Sequence, residues 1–145
     1  ARDGGAAAKG AIAEMRSVAD KAAASEDPDV RTVGIALREG LGLLEQAVAW
    51  VAATFKSDPK AVFAGSVPLL HLFGTVAGGW QTARAAIVAA DKLREGDNQD
   101  PGFYKAKLGT ARFYADHVLS QARGLAHAAM EGSAGVLALE EAAFG

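Results

Sequence analysis

Three histidines, His71, His117 and His127, are the side chains in this chain with the widest chemical scope. A two-metal centre inside a helix bundle needs inward glutamates and Glu-x-x-His pairs on facing helices. No Glu-x-x-His occurs, and His117 and His127 are ten residues apart, which puts them on different faces of a helix. No metal centre is therefore expected. His71 lies in the apolar run Leu69-Leu70-His71-Leu72-Phe73. It could be an inward axial haem ligand, but a core or rim histidine bonded to a backbone or hydroxyl group is the better expectation, since neutral imidazole is tolerated once hydrogen-bonded.

Nucleophilic catalysis has little to work with. There is no cysteine and no Gly-x-Ser-x-Gly. Asp116 and His117 are adjacent, about 100° apart on a helix, and read as a solvated pair. Residues 74–79, Gly-Thr-Val-Ala-Gly-Gly, are glycine-rich but follow apolar helical sequence and lack the Gly-Lys-Ser/Thr ending of a phosphate loop. They read instead as a smooth surface for a neighbouring helix. Trp50 and Trp80 are expected as core anchors whose indole N–H finds one partner. Lys105, Lys107 and Arg112 form a mild basic face, usually solvated surface, with docking to an acidic partner as the other reading.

Composition narrows the classes further. The 145 residues carry 15 basic and 17 acidic side chains, a net charge of −2, with no basic stripe of the kind nucleic-acid binders show. Without cysteine there is no disulfide framework or thiolate zinc site, which fits a reducing, cytoplasmic setting. Residues 61–83 contain no formal charge and include Gly74-x-x-x-Gly78, as a membrane helix would. Pro68, His71, Ser66, Gln81 and the many small residues argue for a central helix buried on most sides, so no membrane partner is expected.

The elements that must position these residues are helices. Half of the chain is apolar and alanine, the best intrinsic helix former, is its commonest residue. Asp27-Pro28, Asp58-Pro59 and Asp100-Pro101 each pair an N-cap carboxylate with proline at the first helical position. The periodicity predicts helices over about 4–24 (N-cap Asp3), 28–56, 59–94 and 101–131, then a stop at Gly132 and a short helix capped by Ser133 and carrying Val136, Leu137, Leu139 and Phe144. The expected inward stripes are Ala8, Ile12, Met15, Ala19 and Ala22; Val30, Val33, Leu37, Leu41, Leu44, Val48, Val51 and Phe55; Leu69, Phe73, Val76, Trp80, Ala83, Ile87 and Ala90; and Tyr104, Leu108, Ala111, Ala115, Val118, Ala122, Leu125 and Ala129. Pro68 predicts a kink near Gly65-Ser66, or a separate turn before a helix capped by Ser66. Gly34, Gly40 and Gly42 predict close approach by a neighbour.

Short connections make neighbouring helices antiparallel, so the expected fold is all-α, an up-down-up-down four-helix bundle over 1–145 with left-handed packing near +20° and a final helix folded over one end.

The segment Val67-Pro68-Leu69-Leu70-His71-Leu72-Phe73-Gly74-Thr75-Val76-Ala77-Gly78-Gly79-Trp80 is followed by Gln81-Thr82-Ala83-Arg84-Ala85-Ala86. Later come Phe103-Tyr104, Ala106-Lys107-Leu108, Thr110 through Ala115, His117-Val118-Leu119, and Gly132, Val136, Ala138 and Leu139. Together these resemble the C-terminal helical domain of a bacterial branch of the acyl-CoA dehydrogenases, the 3-methylmercaptopropionyl-CoA dehydrogenase-like branch. The Phe73-Gly74-Thr75 and Arg112-Phe113-Tyr114 blocks are its specific parts.

The resemblance implies a longer FAD-dependent parent enzyme that forms a trans-2,3 double bond in an acyl-CoA. A glutamate in a Tyr-Glu-Gly-Thr type motif takes the α proton and flavin N5 takes the β hydride. That motif and the flavin-binding domain are absent here, so no catalytic, cofactor-binding or metal residue is assigned to this chain. The expected partners are the catalytic core of the same polypeptide and a neighbouring subunit of a homo-oligomer. A free-standing helical interaction or coat protein is the alternative.

Overall fold

The computed structural model describes residues 5–96 and 99–144. Every regular element among them is helical: α1 Ala6–Ala23, α2 Pro28–Thr54, α3 Pro59–Ala64, α4 Ser66–Glu95, α5 Pro101–His117, a 3-10 turn Leu119–Gln121, α6 Ala122–Glu131 and α7 Ser133–Phe144.

The three Asp-Pro starts form as expected. Asp27 Oδ1 accepts from Asp29 N at 2.9 Å and Val30 N at 3.1 Å. Asp58 and Asp100 accept from Ala61 N and Phe103 N, each at 3.1 Å. Each carboxylate satisfies backbone donors that no intrahelical carbonyl can reach. Asp3 and Gly4, the expected cap and start of the first helix, lie outside the described residues. α1 opens after Gly5, which turns the chain at φ +85° without a side-chain cap.

Ion pairs fix the relative directions of the helices. Arg16 reaches Glu45 at 2.7 Å and Arg38 reaches Asp20 at 3.0 Å, so α1 and α2 run antiparallel. Arg112 bonds Asp29 and Arg123 bonds Glu39, so α2 runs parallel to α5 and α6. The core is built from Val33, Leu37, Leu41 and Leu44 of α2, Leu72 and Val76 of α4, and Leu119, surrounded by alanines. Burying each of these leucines and valines contributes roughly 1.5–3 kcal/mol.

α4 packs against α1, α2, α5 and α6. Neighbours on both sides centre its buried arc on Leu72, Val76, Gly79, Ala83 and Ala86. The expected Leu69, Phe73, Trp80, Ile87 and Ala90 flank that arc half-buried. The helix still keeps an open face with Leu70, His71, Gly74, Gln81 and Val88, so it is not enclosed on most sides. No helix among the described residues is long and apolar enough to cross a membrane.

Several local expectations are corrected. Chain 59–94 divides at Gly65 into two helices, the separate turn that Pro68 predicted, but Ser66 is the first residue of α4, not its cap, and its hydroxyl donates to Phe63 O at 2.8 Å. Chain 101–131 is also divided, at Val118, where Gln121 Nε2 donates to the freed His117 O at 2.8 Å. Beyond that break Leu119 and Ala126 face inward rather than Val118 and Leu125. Leu119 fills the space that Gly79 and Gly40 leave open.

In α2, Ala47 is buried while Val48 and Val51 are half-buried, and Phe55 is exposed, beyond the Gly5–Val48 contact at which α1 begins. Ala8 is likewise only half-buried. Gly34 meets the backbone of Ala22 and Ala23, as expected, but Gly42 has open space around it. Gly132 keeps right-handed helical angles and the chain passes directly into α7, with Ser133 already inside that helix. α7 packs on α3 and α6 at one end, with Val136 and Leu139 exposed; the Phe144 side chain lies outside what is described.

Candidate functional site

The best-defined polar contact between helices lies in the seam between α4 and α5. Tyr114 Oη donates to Thr75 O at 2.7 Å. Gly78 makes room for it, since a Cβ there would stand 2.2 Å from the hydroxyl. Gly79 does the same for Leu119. Residues 74–79 are thus helical and serve as the expected smooth surface at Gly78 and Gly79, while Gly74 faces open space. Burial pushes the Tyr114 phenol above its ordinary value of 10.0, because the phenolate would lose hydration there.

The other candidate residues are not gathered into one place. His71 is exposed on the open face of α4, neither an inward ligand nor a core side chain. His117 ends α5 with its ring 4.5 Å from that of Phe113. His127 sits on α6 with Nδ1 3.1 Å from Glu131 Oε2. Asp116 accepts from Arg112 Nε at 2.9 Å. No three of His, Cys, Asp and Glu come together among the described residues in a way that could hold a metal ion.

Arg112 faces α2, where it also bonds Asp29 at 3.1 Å, and its hydrogen bond to Asp116, with that carboxylate's charge, holds its pKa up. Lys107 faces the other way, its ammonium 5.3 Å from the Phe103 ring centre. The expected basic face of Lys105, Lys107 and Arg112 is therefore divided between two sides of α5.

Trp50 and Trp80 are half-buried, and Trp80 packs against the core. Its indole departs from expectation: Nε1 is shielded from solvent with no hydrogen-bond partner among the described residues, while the Arg84 guanidinium lies 5.3 Å from the ring centre. Leaving such a donor unmade costs about 1–3 kcal/mol.

The larger clefts are surface grooves. One of about 730 Å³ runs between α1 and α2 over Ile12, Ala13, Val48 and Ala52, beside the Arg16–Glu45 pair. Another of about 770 Å³ lies at the opposite end, among Lys21, Asp27, Asp91 and Arg94. No polar or charged side chain is buried among the described residues.

The family model described as "Acetyl-CoA dehydrogenase C-terminal like" matches residues 11–140. The chain belongs to this family. The acetyl-CoA dehydrogenase C-terminal-like match takes in both blocks on which the resemblance rested, and the fold shows what they do together. Each block contributes one residue to the same seam, Thr75 from the first and Tyr114 from the second, joined by the Tyr114–Thr75 bond. Over 118 residues the chain is 33% identical to 3-methylmercaptopropionyl-CoA dehydrogenase of Ruegeria pomeroyi. That alignment covers 81% of this chain and 20% of the relative, so the chain spans about a fifth of that protein's length.

Sequence reasoning placed Gly78 and Gly79 in a helix-packing surface but missed the partner of Gly78, because Tyr114 was assigned to no stripe. The signal available was a hydroxyl-bearing aromatic beside paired glycines on a neighbouring helix.

Proposed function

We propose that this chain is the C-terminal packing domain of an FAD-dependent acyl-CoA dehydrogenase. The parent enzyme forms the α,β double bond of an acyl-CoA thioester, and this region takes no part in the bond-breaking steps. The observation that carries the reading is the family match over residues 11–140, whose two specific blocks contribute Thr75 and Tyr114 to a helix–helix contact. The domain comprises residues 1–145 of a longer polypeptide and is an up-down-up-down bundle of four rods: α1, α2, α3–α4 and α5–α6. The ion pairs, which run α1 against α2 and α2 along α5 and α6, support that topology.

Its partners are the catalytic core of the same polypeptide and a neighbouring subunit of a cytoplasmic homo-oligomer. The catalytic base and the flavin site belong to the preceding part of the protein. The test is the reading frame upstream of Ala1 together with an assay of its product. A long frame containing a Tyr-Glu-Gly-Thr motif, whose protein reduces an electron acceptor with acyl-CoA, supports the proposal. A start codon directly before Ala1 overturns it in favour of a free-standing interaction protein.

A further inference from the structure

The apolar surface that stays uncovered is concentrated at one end of the molecule. α1 begins there, with Gly5 against Val48, and α2 runs on past that contact to Thr54, where it meets α3. The same end holds α3, the start of α4, the end of α6 (Gly65 lies on the Ala129 backbone) and α7. Phe63 is 65% exposed, Val67 63%, Leu70 71% and Leu139 71%, with Phe55 and Val136 also open. The rings of Phe55 and Phe63 meet edge-on at 6.1 Å, and Phe63 shares a cleft with Val136. Val67 and Leu70 continue outward along α4 at the spacing of one helix face. Exposed aromatic and aliphatic side chains gathered at one end in this way, with Phe55, Phe63 and Val136 as direct neighbours, are the kind of surface that marks an interface.

The entry point of the chain selects the occupant. Polypeptide preceding Gly5 must join the domain at this same end, and about four fifths of the relative's length lies outside the aligned region. A unit tethered there is held at a local concentration of the order of millimolar against this face. The opposite end, with the α1–α2 and α4–α5 turns and its charged cleft of Lys21, Asp27, Asp91 and Arg94, lies a full helix length away. We infer that the end face formed by Phe55, Phe63, Val67, Leu70, Val136 and Leu139 is where the domain seats on the preceding catalytic part of its own polypeptide. This inference rests on the proposed function and adds the docking face to it.

Hydroxyl-radical footprinting of the full-length protein tests the inference, because exposed Phe and Leu side chains report their own cover. Phe63, Leu70 and Leu139 are expected to oxidise about tenfold more slowly in the full-length protein than in the 145-residue chain, the reduction that docking for about nine-tenths of the time produces. Phe103 and Phe113, exposed on α5, serve as internal references and keep equal rates. In the full-length protein Leu70→Glu restores fast oxidation at Phe63 and Leu139, whereas Val88→Glu does not. Equal rates at the end face, protection at Phe103 instead, or protection that grows with protein concentration and so reports a second copy, would each overturn the inference. Those failures are distinct from failure of the proposed function, which shows earlier as the lack of a dehydrogenase frame upstream.

Discussion

Tyr114 lies directly over Gly78 and donates its phenol proton to Thr75 O at 2.7 Å, so one side chain joins α5 to the backbone of α4. The contact exists because position 78 has no Cβ. Adding one there should restore up to about 1 kcal/mol of helix propensity. It should also break a hydrogen bond of about 1 kcal/mol and overpack the seam by about 1–3 kcal/mol. Gly78→Ala is therefore expected to destabilise by about 1–3 kcal/mol. In a Tyr114→Leu background the same substitution should lose this cost and keep the propensity gain, a stabilisation of up to about 1 kcal/mol. Urea unfolding of the four proteins of this cycle checks it, and additive effects would show that the two residues do not share a contact.

The same phenol confers an alkaline limit on stability. Its pKa is raised in the folded state above the ordinary 10.0 by burial. The stabilisation linked to keeping it protonated is fully present below that ordinary value and is lost as pH rises through the higher folded value. Unfolding free energy should thus fall on the alkaline side of pH 10, and Tyr114→Phe should flatten that fall while costing about 1 kcal/mol at neutral pH. Chemical denaturation on either side of the transition separates the two effects.

Two glycines of α2 should respond with opposite sign. A Cβ at Gly34 would stand 2.2 Å from Ala23 N, which is backbone and cannot move aside, so Gly34→Ala should cost about 3 kcal/mol or more. Gly42 has nothing within 4 Å, and Gly42→Ala should stabilise by about 0.5–1 kcal/mol. Thermal melting distinguishes them, and a stable Gly34→Ala protein would contradict the close approach of α1 and α2.

The caps should rank by the bonds they accept. Asp27 takes two backbone N–H groups, Asp58 and Asp100 one each. Asp27→Ala is expected to cost about 1–2 kcal/mol and either of the others about 0.5–1 kcal/mol. Equal losses at all three would mean that the second bond to Asp27 contributes nothing.

The sequence carried most of the fold because its signals were local. An Asp-Pro pair acts within four residues, and a stripe such as Val30, Val33, Leu37, Leu41 and Leu44 reports burial where the neighbours converge on the face that carries the large side chains. Periodicity failed where two neighbours compete or none arrives. α4 has neighbours on both sides, which moves its buried centre from Leu69–Phe73 to Leu72–Val76. Phe55 continues the stripe of α2 beyond the reach of α1 and so stays exposed. The division at Val118 depends on Leu119 reaching Gly79 from another helix, a contact that spacing along one helix does not encode. Of the candidate chemical residues, spacing argued only for different faces of one helix for His117 and His127; the division at Val118 puts them on α5 and α6. The Tyr114–Thr75 bond and the uncovered end face are tertiary facts with only faint traces in the chain.

The measurement that bears most directly on the account is equilibrium dialysis of FAD against two proteins, the 145-residue chain and the full-length polypeptide that contains it. The account predicts that the full-length protein retains about one flavin per polypeptide while the 145-residue chain retains none, since its described residues bury no polar side chain to hold the cofactor. Flavin retained in stoichiometric amount by the 145-residue chain would contradict the reading of this domain as one that packs and does not react.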